Sequence, residues 1–273
     1  MALRVILICF ILTGCFGKFK TGEQLYHSGD YAAAIEEFNK VLFVSITDLK
    51  SLHLRARSYE ELGDLKKAEA DYRKILSLEP EYPYAYTGLA KIAWDKGRFK
   101  EAENNLLKAA MFAPEDYDVL LFLSRAMIKN ERFKNAVKFL DLAIQLKPEE
   151  ASPHYYKGIA QAYSGDGLGL IVSLNEYIDL EPDNISAYYN RGFGLMTFGH
   201  FDYAIEDFDK VLELAPKHYD ALARRAVCMM KNNPRQACFD LETAALNGNE
   251  YAKHHQGDCS QFYTFNATLY GQN

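Results

Sequence analysis

Five of the eight prolines in this chain, Pro80, Pro114, Pro148, Pro182 and Pro216, follow one another at a constant interval of 34 residues. Chance does not space prolines so evenly, and a fixed period of this size marks a repeat array in which one supersecondary unit stacks on the next. Counting 24 residues back from each proline gives Ala56, Ala90, Ser124, Gly158 and Gly192, all small, as two closely crossing helices require. Twelve back gives Ala68, Ala102, Ala136, Leu170 and Ala204. Between these columns stand Gly63, Gly97, Gly165 and Gly199, where glycine takes the left-handed conformation that ends a helix. Eight back, Tyr72, Leu106, Leu140, Leu174 and Phe208 give the second helix a buried face. The proline punctuates its exit.

The frame extends in both directions. Upstream, Gly22, Gly29, Ala34 and Phe38 fall in register, with Ile46 in the proline column. Downstream, Ala226 and Asn233 fit and Ala237 arrives one residue early, which predicts a single deletion in the last turn. The array then holds seven units from about Lys18 to Leu246. Asn249 to Gly257 reads as a short capping helix, because a terminal repeat must cover its apolar face. The tail 260–273 is polar and aromatic without periodicity and reads as loose.

Spacing and residue type agree over roughly nine tenths of the chain, and in this the sequence resembles the tetratricopeptide-repeat family. The resemblance implies an all-α fold, a right-handed superhelical solenoid of antiparallel helix hairpins over residues 15–259, with the first helix of each pair lining a concave groove. It also implies a non-enzymatic scaffold that binds a polypeptide; the alternative is a structural assembly subunit that oligomerises through its convex face or ends. The departure lies at Ser164-Gly165-Asp166-Gly167-Leu168-Gly169-Leu170, which puts glycines at the start of a second helix and a leucine in the alanine column. Distorted helix packing is expected there. Chaperone-binding members resemble one another in pairing a lysine with an asparagine one turn later. The matching pairs here, among them His53 with Arg57 and Tyr189 with Phe193, lack that clamp.

The N-terminus is a separate matter. Arg4, the apolar run Val5 to Leu12 and the small residues before Cys15 read as a signal peptide over residues 1–14. The run is shorter than the ~20 residues that span a bilayer. Leu12-Thr13-Gly14-Cys15 resembles a bacterial lipobox, which implies an acylated Cys15 and a protein tethered at the cell envelope. A plain signal peptide cut elsewhere, or a hydrophobic N-terminus, is the alternative. Phe16 stands where an aspartate would signal retention at the inner membrane of Gram-negative bacteria, which points to the outer membrane, facing the periplasm.

A net charge of −6 gives no broad basic face, so nucleic acid is not the expected partner. Gly165, Gly167 and Gly169 do not follow a strand, as a phosphate loop would. His254, His255, Asp258 and Cys259 have no second cluster at zinc-site spacing. No catalytic set, metal or cofactor is expected. Asn184-Ile185-Ser186 and Asn266-Ala267-Thr268 are glycosylation patterns that only a eukaryotic secretory route would make meaningful.

The residues 30, 27, 23 and 20 before each proline share one stripe of the first helix. Lys50, His53, Arg57, Tyr84, Lys91, Trp94 and Arg125 occupy it early in the chain, and Tyr155, Ile159, Tyr189, Phe193 and Met196 later. Such a groove runs from basic to aromatic and suits a partner with an acidic portion and a hydrophobic anchor. The alternative is that the aromatics pack between repeats. Arg57, Lys91 and Arg125 recur 34 residues apart and are expected to form a ladder reaching into solvent. An exported chain also meets oxidising conditions. A hairpin about Asn247-Gly248-Asn249 sets Cys238 level with Cys259, and Cys228 with Cys238 are level about Asn233. The first pair is preferred, because Ala237 takes the inward column and turns Cys238 toward the following helix, leaving Cys228 a buried thiol.

Overall fold

The structure, a computed structural model, describes residues 18–259, and every regular element among them is an α-helix. Residues 1–14, Cys15 and the tail 260–273 lie outside the described residues. The chain divides between Arg132 and Phe133 into two compact units. The first contains α1 (Phe19–His27), α2 (Tyr31–Val44), α3 (Leu49–Glu61), α4 (Leu65–Leu78), α5 (Pro83–Asp95), α6 (Phe99–Phe112) and α7 (Tyr117–Lys129). The second contains α8 (Phe133–Leu146), α9 (Ala151–Tyr163), α10 (Gly167–Leu180), α11 (Ile185–Thr197), α12 (Phe201–Leu214), α13 (Tyr219–Met229), α14 (Pro234–Leu246) and α15 (250–259). The fourteen helices from α1 to α14 are the helices of the seven expected units, and α15 is the expected cap.

Local chemistry fixes the helix ends. Asp30, Asp48, Asp64 and Asp116 each accept a hydrogen bond from a backbone N–H of the first turn that follows, as do Asp166, Asn184 and Asn233 in the second unit. Each cap contributes about 1 kcal/mol. Between paired helices the turn needs a positive φ, supplied by Gly63 at 77° and Gly199 at 78°. At the equivalent place before α8 the residue is Glu131, with φ 59°.

Packing follows the columns. Ala56, Ala68, Ala90 and Ala102 are fully buried in the first unit, as are Leu140, Leu174 and Phe208 in the second. The distortion expected around the glycine-rich stretch is not found: α10 runs for the same 14 residues as α8 and α12. Leu170 takes up the space left by a glycine on the next first helix, since a Cβ at Gly194 would stand 2.6 Å from Leu170 Cδ2. Gly167 lies beneath the Phe198 ring, and a side chain on Gly169 would meet Gln161 and Asp166. These glycines serve close packing.

A second periodic device ties the helices laterally. Arg55 on α3 donates from Nε and a terminal nitrogen to Asp71 on α4, at 2.8 and 2.6 Å, and from the other nitrogen to Asn39 on α2 at 2.7 Å. Arg191 on α11 does the same with Asp207 on α12 and Asn175 on α10. Arg225 on α13 holds Asp209 on α12 and Asp240 on α14. The forward partner is 16 residues on in the first two clips and 15 in the third, so the deletion announced by Ala237 lies between α13 and α14. Cys238 of α14 is joined to Cys259 of α15 with Cα atoms 5.6 Å apart, and Cys228 is a buried free thiol whose pKa burial pushes up to about 11.

Candidate partner-binding surfaces

In the first unit the expected stripe falls on α3, α5 and α7, and the structure puts its members in unlike surroundings. Lys50 and Lys91 are exposed, and Tyr84 is 48% exposed. His53 is instead enclosed by Tyr72, Tyr82 and Tyr84, with ring centroids 6.1, 5.8 and 6.0 Å away. Desolvation, with a smaller push from Arg57, lowers its pKa to about 4, so it is neutral near pH 7. Trp94 sits edge-on between Phe99 and Phe122, at 5.0 and 5.4 Å.

The cationic ladder is present, but it does not simply reach into solvent. Arg57 lies over the Tyr26 ring at 5.3 Å, and the partly buried Arg125 lies over Trp94 at 5.5 Å. Lys91 stands 4.0 Å from Glu61 and also draws down the pKa of Glu60, which burial raises overall. Each cation therefore answers the side chain 31 positions earlier, at the end of the preceding first helix: Tyr26, Glu60 or Trp94. The like-charge repulsion that would have demanded an acidic partner is met inside the unit. A steering field remains.

The second unit builds a more enclosed surface from α9, α11, α13 and α15. Arg224 of α13 lies over Phe193 at 4.5 Å and over Tyr251 at 4.7 Å, and its Nε donates to the Tyr189 hydroxyl at 2.8 Å. The same offset of 35 recurs one repeat earlier, where Asn190 donates to the Tyr155 hydroxyl at 3.2 Å. Ile159, Tyr163, Leu170, Tyr189, Phe193 and Arg224 line a cleft of about 350 Å³. Phe193 is 42% exposed, whereas Tyr189 and Met196 are partly buried against a core that includes Phe208 and Val211. Of the expected aromatics, Phe193 presents its ring to the cleft most freely. Tyr189 serves the core as well.

Arg224 was not among the stripe residues read from the columns. It lies between two of them, in a repeat with Glu250 in the proline column. The recurring separation of 31 from an aromatic residue, Tyr26 to Arg57, Trp94 to Arg125 and Phe193 to Arg224, is the sequence trace that reveals it. Among the described residues no three side chains of metal-ligating type come together.

Three family models, each described as tetratricopeptide repeat, match residues 53–113, 93–162 and 185–218, together more than half of the chain. Among solved structures the chain is similar to YrrB, described as a TPR protein with an unusual peptide-binding site. That match has 25% identity, 68% of this chain and 95% of the other covered, and a TM-score of 0.64. It is also similar to the C-terminal part of a TPR repeat-containing protein from Cytophaga hutchinsonii, at 19% identity over 87% and 98% of the two chains and a TM-score of 0.69. A tetratricopeptide repeat protein from Parabacteroides merdae matches at 16% identity over 88% and 96%, with a TM-score of 0.58. At these identities the latter two speak for the fold.

Proposed function

The chain belongs to the tetratricopeptide-repeat family, and from that premise we propose that it is a non-enzymatic scaffold that binds a polypeptide on the faces of its first helices. The observation that carries this reading is the cleft around Phe193 and Arg224, an apolar hollow with an arginine at its wall and a partly exposed aromatic ring. Such a combination takes an aliphatic or aromatic side chain from a partner and offers a donor to the partner's backbone or carboxylate. The basic stripe of the first unit suits an acidic stretch of the same partner. The peptide-binding site named for YrrB adds support from a similar protein. The charged start, the apolar run and the lipobox-like end at Cys15 motivate a lipid tether that holds the scaffold at the envelope, on the outer membrane facing the periplasm.

Capture from the envelope fraction tests the reading, with wild type, Phe193→Ala and Arg224→Ala as baits. A specific polypeptide retained by wild type and lost from both variants, all three folded, supports it. Equal retention by all three contradicts it. Fractionation of wild type against Cys15→Ser tests the tether, which fails if both partition equally into membranes. A second reading, an assembly subunit that associates through second helices, draws on Leu168, Val172, Tyr203 and Phe239, exposed by 69, 59, 63 and 63%. Concentration-dependent sedimentation abolished by Leu168→Ser with Tyr203→Ser would favour it over the scaffold.

A further inference from the structure

The first hairpin carries an apolar tip that its fold does not require. Phe43, Val44 and Ile46, at the end of α2 and in the loop to α3, are exposed by 82, 55 and 65%. In the five repeats that follow, the position of Phe43 holds Ser77, Met111, Gln145, Asp179 and Glu213, and that of Ile46 is always proline. Met111 excepted, the array therefore closes this loop without a large apolar residue at the position of Phe43, and it uses proline at that of Ile46. Exposed apolar groups gathered at one tip mark a surface that meets something else.

What it meets follows from where the chain enters the fold. Phe19 packs on Phe38 at 6.1 Å and Tyr26 on Tyr31 at 5.6 Å, so α1 and α2 run antiparallel, and α1 opens level with Phe38, on the half of α2 that leads to the tip. In sequence, the apolar run Val5 to Leu12 and Cys15 precede the start of α1. Lysines gather at the same edge. Lys18 and Lys20 open α1, Lys50 opens α3, and Lys40, paired with Glu37 at 2.5 Å, lies one turn before the tip; all four are exposed. Asp48, the acid of this loop, is engaged in capping α3. The next two loops on this edge of the unit, 79–82 and 113–116, bear Glu79, Glu81, Glu115 and Asp116 instead. Phe43, Ile46 and Lys50 stand together in the first repeat, although Met111 is exposed at the position of Phe43 and Lys74 and Lys108 repeat Lys40.

We propose that this tip is a membrane-docking surface. Phe43, Val44 and Ile46 enter the interfacial layer of the bilayer while Lys18, Lys20 and Lys50 meet anionic headgroups. The proposal deepens the tether reading and rests on it: one lipid chain alone holds a protein only marginally, and a second contact makes the attachment stable. It also turns the first repeat toward the membrane.

The test uses the full chain incorporated into vesicles of phosphatidylcholine and phosphatidylglycerol, with p-benzoylphenylalanine in place of Phe43 or Ile46. The same probe in place of Tyr163 or Leu246, which are 70 and 80% exposed, is the control. Lipid adducts at 43 and 46 several-fold above those at the controls are expected. Equal yields at all four positions, or adducts at 43 and 46 to protein in native membranes, overturn the proposal. Phe43→Ser with Ile46→Pro restores residues that the next repeat carries at Ser77 and Pro80. Its helicity should be unchanged, and its release from the vesicles by salt should rise several-fold. Acylation is read separately, from the mass of the wild-type chain. An unacylated chain that still gives adducts at 43 and 46 leaves the surface standing and the tether fallen, and an acylated chain without them does the reverse.

Discussion

Single residues carry strains and charges that the repeat pattern alone does not disclose. Glu131 adopts φ 59° at the turn where other repeats place glycine, and a side chain in that region costs energy that glycine avoids. Glu131→Gly is expected to stabilise the protein by about 0.5–1 kcal/mol after the greater entropy of an unfolded glycine is offset. Urea denaturation followed by circular dichroism measures it, and a lower midpoint would contradict the account. His53 makes a pH-dependent prediction. Its folded pKa of about 4 lies below the ordinary 6.5, so between these values the unfolded chain takes up a proton that the folded chain refuses. The stability held by neutral His53 is fully present above that range and is lost as pH falls through it. From about pH 7 to about pH 5 the loss is about 2 kcal/mol. His53→Gln should remove that share of the pH dependence, and an unchanged slope would show that the imidazole is not the group responsible. Both features were only half legible: position 131 was visible as a gap in the glycine column, but the tyrosines that enclose His53 come from α4, the loop after it and α5, which no single column displays.

At the scale of elements, the fourteen helices and the cap were legible because five of the seven turns carry glycine and five of the seven exits proline, with small residues at most helix crossings. The lateral clips were not, because their arginines lie outside the apolar columns on which the frame was built. Leu89 and Leu123 stand in the same register as Arg55, Arg191 and Arg225, so the position accepts either an apolar side chain or a complete ion pair. That alternation yields a test. Asp207 is 3% exposed, and removing its partner strands a buried carboxylate. Arg191→Ala should therefore cost about 3 kcal/mol. Arg191→Leu combined with Asp207→Asn copies the Leu89 and Asn105 found three repeats earlier and should recover most of the loss. Urea midpoints of the single and double variants decide it, and a double variant no more stable than the single would show that the carboxylate is not what makes the loss large. The distortion expected at α10 failed for the complementary reason: Leu170 was read against its own repeat, whereas the space it fills is left by Gly194 on the next.

For the whole molecule, the two units divide the expected stripe by chemistry, with the cations in one and the apolar cleft in the other. Because Arg57, Lys91 and Arg125 are already partnered within their unit, the proposed scaffold is expected to use them for steering and to draw its energy of attachment from Phe193 and Arg224. Tyr189→Ala is a poor probe of binding, since Tyr189 also packs on Phe208, and it should lower stability together with affinity. The most direct test of a scaffold that binds through its first helices is the pair of rate constants for a captured partner, measured at low and high salt. Replacing Arg57, Lys91 and Arg125 with alanine should slow association and weaken its salt dependence, while Phe193→Ala should leave association nearly unchanged and speed dissociation by the equivalent of about 1–4 kcal/mol. Folded variants that associate and dissociate like wild type at both salt concentrations would contradict the account and leave the assembly subunit in its place.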